Sequence, residues 1–189
     1  MHPSHLSALT NRLISLGFPA SVENQLRCHL CFAPTQFELP LTMRVGEDQG
    51  VFSVRAERDE RGVYSLKYYH ACLRKRVEVP EELAGLDQRM AAVDWEAVAL
   101  GRQVATALDE KTIQEAAAVV QALDEFGLGA DLLRYKYWQG TSLESLVLFL
   151  SQHKSVWEIS ERFYFFNEVD QISFSEAIRF LNSRWMERQ

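Results

Sequence analysis

Little in this sequence could cross-link, anchor or catalyse. It has three cysteines and no visible export signal, which argues against a disulfide framework. No apolar run approaches the roughly 20 residues of a membrane span. The first residues hold histidines but no basic cluster leading into an apolar core, so a cytoplasmic, membrane-free protein is expected. Also absent are a glycine-rich phosphate loop, a nucleophile elbow, an HExxH motif and a pair of carboxylates in an apolar setting. No enzymatic activity and no cofactor are therefore expected. Neither a repeat of fixed period nor a low-complexity tract is visible.

What is present is ordinary globular composition, 47% hydrophobic and 24% charged, in a chain of 189 residues. That is enough for one good core or two small ones, and leaves no room for a large disordered fraction. The net charge of −6 is uneven: residues 1–80 carry 10 Lys and Arg against 8 Asp and Glu, and the remainder 10 against 18. An anionic ligand would meet least repulsion in the first part.

The clearest pattern lies between Gln36 and Val79. Phe37, Leu39, Leu41, Met43 and Val45 alternate with mostly polar residues, as do Phe52, Val54 and Ala56, and polar glycine-containing turns separate these runs from a third with Tyr64, Leu66 and Tyr68 on one face. Alternation of period two marks half-buried strands, and the short turns predict antiparallel pairing. Phe37, Leu39, Leu41, Phe52, Val54 and Leu66 should share a buried face. Pro40 lacks an amide hydrogen, which places the first strand at a sheet edge or on a bulge. Beyond Tyr68 the apolar phase switches to Ala71, Leu73, Val77 and Val79, so a bulge is expected near Tyr68 and Tyr69.

Helical spacing marks the flanks. Leu6, Leu9, Leu13 and Leu16 form one stripe ending at Gly17, and Val22, Leu26 and Leu30 form a second that Ser21 could cap. After Pro80 the texture becomes rich in alanine and acid, which sets the expected boundary: 1–80 as helices plus sheet and 81–189 as a helical part, with two separate cores or one shared core. Within the second part, helices are predicted over 97–108, from a Thr112–Glu115 capping box to Gly127, over 131–138, and from a second box at Thr141 and Glu144, whose following 146–150 run implies deep burial. Asp94 reads as a helix N-cap. A Ser173–Glu176 box opens a last helix with Phe174, Ala177, Ile178, Leu181 and Trp185 on its stripe. Residues 155–167 fit two periods. As a helix they bury Val156, Ile159, Phe163 and Phe166; as a strand they bury Trp157, Ile159, Phe163 and Phe165. Helix is the expectation.

Several clusters occur together: Leu16-Gly17-Phe18, Gly62 to Leu66 with Tyr69, Arg89 to Trp95, Lys136-Tyr137-Trp138, and Ile172 with Glu176-Ala177. In that order they resemble uncharacterised domain-of-unknown-function proteins carried by bacterial conjugative and mobilisable elements. The resemblance implies a small strand region followed by helices and an accessory role in mobile-element biology. It carries over no catalytic residue.

Three constellations could bind something. Cys28 and Cys31, a CxxC pair, with His70 and Cys72 on one strand face would make four zinc ligands. Against this, the CxxC sits inside an amphipathic helix pattern, and small buried thiols explain the cysteines as well. Leu73-Arg74-Lys75-Arg76-Val77 is the basic run, and Arg44, Arg55, Lys67 and Tyr69 could share a sheet face beside it, a mix that can hold a phosphate backbone and stack a base. Charged solvent-facing strand positions are also routine. Tyr164 lies off the core stripe in both readings of its segment and, beside Trp157 in the helical one, could anchor a protein interface; packing under a neighbouring loop or the C-terminal helix explains it as well. His2, His5 and His153 read as terminal or surface residues. The expected protein is thus α+β, a three-stranded antiparallel sheet with N-terminal helices followed by a mainly helical part. It is read as an adaptor acting through a protein partner, with a nucleic-acid-binding module and a small zinc protein as alternatives and its oligomeric state open.

Overall fold

The computed structural model describes residues 3–100, 110–165 and 171–189. The chain forms two compact units, one of residues 1–76 with 158–189 and one of residues 77–157. The first break falls close to the expected boundary at 80/81, but the C-terminal residues return to the first unit instead of continuing a helical part.

The first unit is α+β. Its sheet has four strands in the order β1 (Gln36–Val45), β2 (Asp48–Arg58), β3 (Tyr64–Arg74) and β4 (Glu158–Tyr164), each antiparallel to its neighbour. The fourth strand corrects the three-stranded expectation, and the helical reading of 155–167 with it. Helical spacing fits that stretch, but Ile159 and Phe163 lie opposite Leu73 and Tyr69 of β3, and strand pairing packs them, partly buried, against the core. Pro40 does lie on an edge strand, β1.

One face of the sheet packs with the helices α1 (Pro3–Leu16), α2 (Val22–Phe32) and α8 (Phe174–Arg188) around a single apolar core. Phe37, Leu39, Phe52, Val54 and Leu66 are buried in it and Leu41 is half-buried, as the alternation requires. The stripe of α8 is buried throughout, and both halves of its Ser173–Glu176 capping box are formed. Gly50 lies under α8, where a Cβ would come within 3.1 Å of Ile178 Cδ1 and of the Phe52 ring, so a larger residue there would press on both side chains. Ser21 makes no side-chain cap to α2, which ends instead at Ala33 in the left-handed region.

The bulge is present one residue earlier than expected. Arg55 pairs with Tyr68 and Ala56 with Leu66, so Lys67 is the extra residue. Its consequence reverses two assignments: Tyr69 joins Leu66 on the core face and is fully buried, while Tyr68 turns to the other face.

The second unit is helical: α3 (Ala84–Ala91), α4 (Trp95–Ala99), α5 (Glu110–Phe126), α6 (Asp131–Trp138) and α7 (Leu150–Trp157), with short 3-10 turns between several of them. Asp94 caps α4, its carboxylate accepting from Ala97 N at 3.0 Å. Most of the helix expected over 97–108 lies outside the described residues. Thr112 lies inside α5, not at its cap, because that helix already runs from Glu110. The Thr141 box opens only a 3-10 turn, with Glu144 accepting from Gly140 N at 2.7 Å. Of the 146–150 run, Val147 is buried, but Leu146 and Leu148 are well exposed. Consecutive side chains point in different directions in any regular backbone, so an apolar run does not turn all of its members inward.

Candidate functional site

The face of the sheet opposite its core is built in rows by the strand register. One row runs Glu38, Arg55, Tyr68, Tyr164 across all four strands, the next Pro40, Ser53, His70, Arg162, and a later one Arg44, Gln49, Arg74, Glu158. Side chains in a row are direct neighbours. In the first two rows Glu38, His70, Arg162 and Tyr164 are exposed, and Ser53, Arg55 and Tyr68 are half-buried.

At the β4 end of these rows three side chains meet. The Arg162 guanidinium carbon lies 4.6 Å from the Tyr68 ring centroid, Arg162 Nη1 is 3.5 Å from Tyr164 Oη, and the two tyrosine rings are 5.7 Å apart. An arginine over an aromatic face is attracted by the ring quadrupole. Arg162 forms no ion pair among the described residues, so its charge is available to a ligand. The sequence reading missed both Tyr68 and Arg162. The missed signal is the alternation Ser160, Arg162, Tyr164 against Ile159, Glu161, Phe163, of which Glu161 alone breaks the apolar set; it reaches Arg184 of α8 at 2.7 Å.

The residues expected to hold a phosphate backbone are placed differently from one another. Lys67 is exposed on the bulge. Arg55 lies 3.5 Å from both Glu38 and Glu57. Arg74 pairs with Glu158 at 2.9 Å, Lys75 with Asp48, and Arg76 with Glu47 at 2.7 Å. The basic run is thus matched residue for residue by carboxylates. Tyr69 is removed from the set altogether. Its hydroxyl donates to Ile172 O at 2.8 Å inside the core, and burial, with the nearby Glu176 charge adding to it, pushes its pKa up, so it stays a neutral donor.

The four zinc-ligand candidates are not brought together. Cys28 and Cys31 are exposed on α2, which packs on the core face of the sheet, while His70 and Cys72 lie on the opposite face. Cys72 is buried with its thiol 3.5 Å from Glu158 Oε2. Among the described residues no group of three or more metal-ligating side chains forms. The helical spacing that made the CxxC look structural thus separates it from the strand pair.

Trp157 and Tyr164 fall in different units. Trp157 ends α7 and packs on the core of the helical unit, while Tyr164 ends β4 and is 50% exposed. The helical unit has a polar centre of its own. Asp131 is 1% exposed and accepts from Leu148 N at 3.2 Å and Phe149 N at 3.0 Å, with His153 Nε2 at 3.2 Å and Arg134 Nη1 at 3.8 Å. His153 is therefore not a surface residue; its ring stacks on the buried Tyr135 at 5.1 Å. Every oxygen of Asp131 is engaged in holding the entry to α7, which gives the cluster a structural task. Asp87 has a similar task, accepting from Lys136 Nζ and Tyr137 Oη at 2.8 and 2.9 Å.

Compared with family models, curated proteins and solved structures, the chain matches none. No helix among the described residues is long and apolar enough to cross a membrane.

Proposed function

We propose that this chain is a non-enzymatic protein-binding module that takes an extended, acidic segment of its partner along β4. The observation that carries the reading is the asymmetry of the two sheet edges. β1 carries Pro40, which has no amide hydrogen to offer, whereas β4 contains no proline or lysine and ends in the exposed Arg162 and Tyr164. A strand at the edge of a sheet is a template for strand addition, and tyrosine and arginine are among the side chains that most often anchor interfaces. The unpaired Arg162 supplies the charge that selects an acidic segment. The mobile-element resemblance makes another protein of the same element a natural partner.

Nucleic acid is the weaker reading, supported by the Tyr68, Tyr164 and Arg162 cluster as a stacking platform and opposed by the carboxylates on Arg55, Arg74, Lys75 and Arg76. A displayed library of nine-residue peptides separates them. Selection on the wild-type protein is expected to enrich acidic segments whose affinity falls at least about tenfold in Tyr164→Ser and in Arg162→Glu. Binders indifferent to both variants would overturn the reading. So would a salt-sensitive shift of single-stranded or duplex DNA that disappears in the Arg74→Glu, Arg76→Glu double variant, which would favour the nucleic-acid module.

A further inference from the structure

A cavity of about 590 Å³ opens in the sheet unit between α1 and the start of β3, lined by Leu9, Arg12, Ser15, Leu16, Tyr64 and Ser65 among others. Its volume lies within the range of small-molecule pockets. No acidic side chain lines it among the described residues. Arg12 is its one charged wall. The guanidinium carbon stands 5.3 Å from the Phe165 ring centroid, and its Nε is buried without a hydrogen-bond partner. Beside it Ser15 Oγ donates to Arg12 O at 2.7 Å, and Tyr64 Oη donates to Pro34 O at 2.5 Å. A second arginine, Arg58, lies 6.0 Å from the Tyr64 ring. Neither arginine is paired with a carboxylate among the described residues, in contrast to Arg27, Arg55, Arg74, Arg76 and Arg184 of the same unit.

An unsatisfied buried donor is costly, and on a charged group more so. The side edge of a guanidinium, Nε with one Nη, matches the two oxygens of a carboxylate or phosphate. Ring contact restricts the guanidinium, so less freedom is lost when an anion binds. Leu9 and Leu16 supply apolar wall beside it. We infer that this pocket binds a small oxyanion carrying an apolar part, a carboxylate or a phosphate ester, with Arg12 as its anchor. The site is independent of the β4 edge, and neither proposal depends on the other.

The test is thermal unfolding of the full chain titrated with sodium benzoate or phenyl phosphate, each against sodium chloride at equal ionic strength. Benzoate reports on carboxylates and phenyl phosphate on phosphate esters, and a response to both means that the pocket reads the shared oxyanion. Either probe is expected to raise the melting temperature saturably. The midpoint should move at least about tenfold in Arg12→Gln, as loss of a charge-assisted pair implies, and stay unchanged in Arg27→Gln on α2. Ala8→Phe fills the pocket from the exposed side of α1 and should abolish the response without touching the arginine, which keeps the test decisive if Arg12→Gln does not fold. Failure of both probes to give a saturable rise in the wild type, or an unaltered midpoint in Ala8→Phe, would overturn the inference.

Discussion

The two units solve the same problem, satisfying buried backbone while hiding apolar surface, with different materials. In the sheet unit the strands are ten and eleven residues long in β1, β2 and β3, and their ladders pair most backbone groups. Its core can then be largely apolar: Phe52 stacks on Phe174 at 4.2 Å and Tyr69 on Phe163 at 5.1 Å, the buried Tyr64 and Tyr69 hydroxyls donate to backbone carbonyls, and no charged side chain of this unit is buried among the described residues. In the helical unit α3, α6 and α7 have eight residues each and α4 five. A short helix has nearly as many unpaired end groups as internal bonds, so side chains must enter the interior to serve them. Asp131 and Arg134 are buried there, and Asp94 performs the same service at the surface. Short helices import polar groups into a core; long strands do not.

The comparison predicts where each unit breaks. The largest effect is expected in the apolar core, where Phe52→Ala removes a fully buried ring in contact with Phe174. Cavity formation there should cost ~3 to 5 kcal/mol in urea unfolding. An unchanged midpoint would mean that the stacked aromatics do not hold the sheet unit.

Asp131→Ala attacks the helical unit by a different route. It removes little volume but leaves the Leu148 and Phe149 amides without their acceptor, while Arg134 keeps Asp124 at 2.8 Å. Two hydrogen bonds to a buried charge imply a loss of about 3 kcal/mol, with faster hydrogen exchange at those two amides. If Asp131→Leu, which fills the space with apolar atoms, proves as stable as the wild type, the buried carboxylate is dispensable and the contrast between the units fails.

Legibility in the sequence follows the same division. Strand alternation repeats over many residues, so Phe37, Leu39, Phe52, Val54 and Leu66 could be placed in the core in advance, as could the α8 stripe and its cap. What defeated the reading was any feature decided by a distant partner. β4 forms because β3 lies beside it, with Ile159 and Phe163 opposite Leu73 and Tyr69; the local alternation over 159–164, broken at Glu161, competes with a helical stripe that fits the same residues. The single bulge at Lys67 exchanged Tyr68 with Tyr69 between the two faces, and with them an expected ligand contact for a core residue. His153 looked like a surface histidine because its partner Asp131 is 22 residues away. Arg74, Lys75 and Arg76 looked like a basic patch because Glu158, Asp48 and Glu47 are far along the chain.

A smaller effect tests whether the sheet unit is as independent of polar side chains as its core suggests. At the start of α8, Ser173 Oγ accepts from Glu176 N, and Glu176 Oε2 accepts from Ser173 N at 2.8 Å. Loss of such a cap costs about 1 kcal/mol, so Ser173→Ala is expected to lower the melting temperature by a few degrees. The side-chain and backbone hydrogen bonds from Ser173 hold the Glu176 carboxyl below its ordinary value of 4.5. A depressed folded-state pKa contributes stability above the unfolded value, and the contribution is lost as pH falls through the folded one. The gap between wild type and Ser173→Ala should therefore narrow in acid relative to pH 7. A gap constant down to pH 3 would mean that the Glu176 charge plays no part in the cap.

The smallest stability effect is expected at Tyr164, where the largest functional one is proposed. It is half-exposed and lies outside the apolar core of its unit; its contacts include the Tyr68 ring at 5.7 Å and, through its hydroxyl, Arg162. An exposed pair of this kind contributes at most about 1 kcal/mol, so Tyr164→Ser should melt within a few degrees of the wild type. Binding of a selected acidic peptide should nevertheless weaken at least about tenfold, because an interface anchor is felt only when the partner is present. Tyr68→Ser offers the contrast on the adjacent strand: half-buried and stacked on by Arg162, it should lose both some stability and some binding. If Tyr164→Ser unfolds the protein, or binds the peptide as the wild type does, the exposed end of β4 is ordinary sheet surface and the partner lies elsewhere.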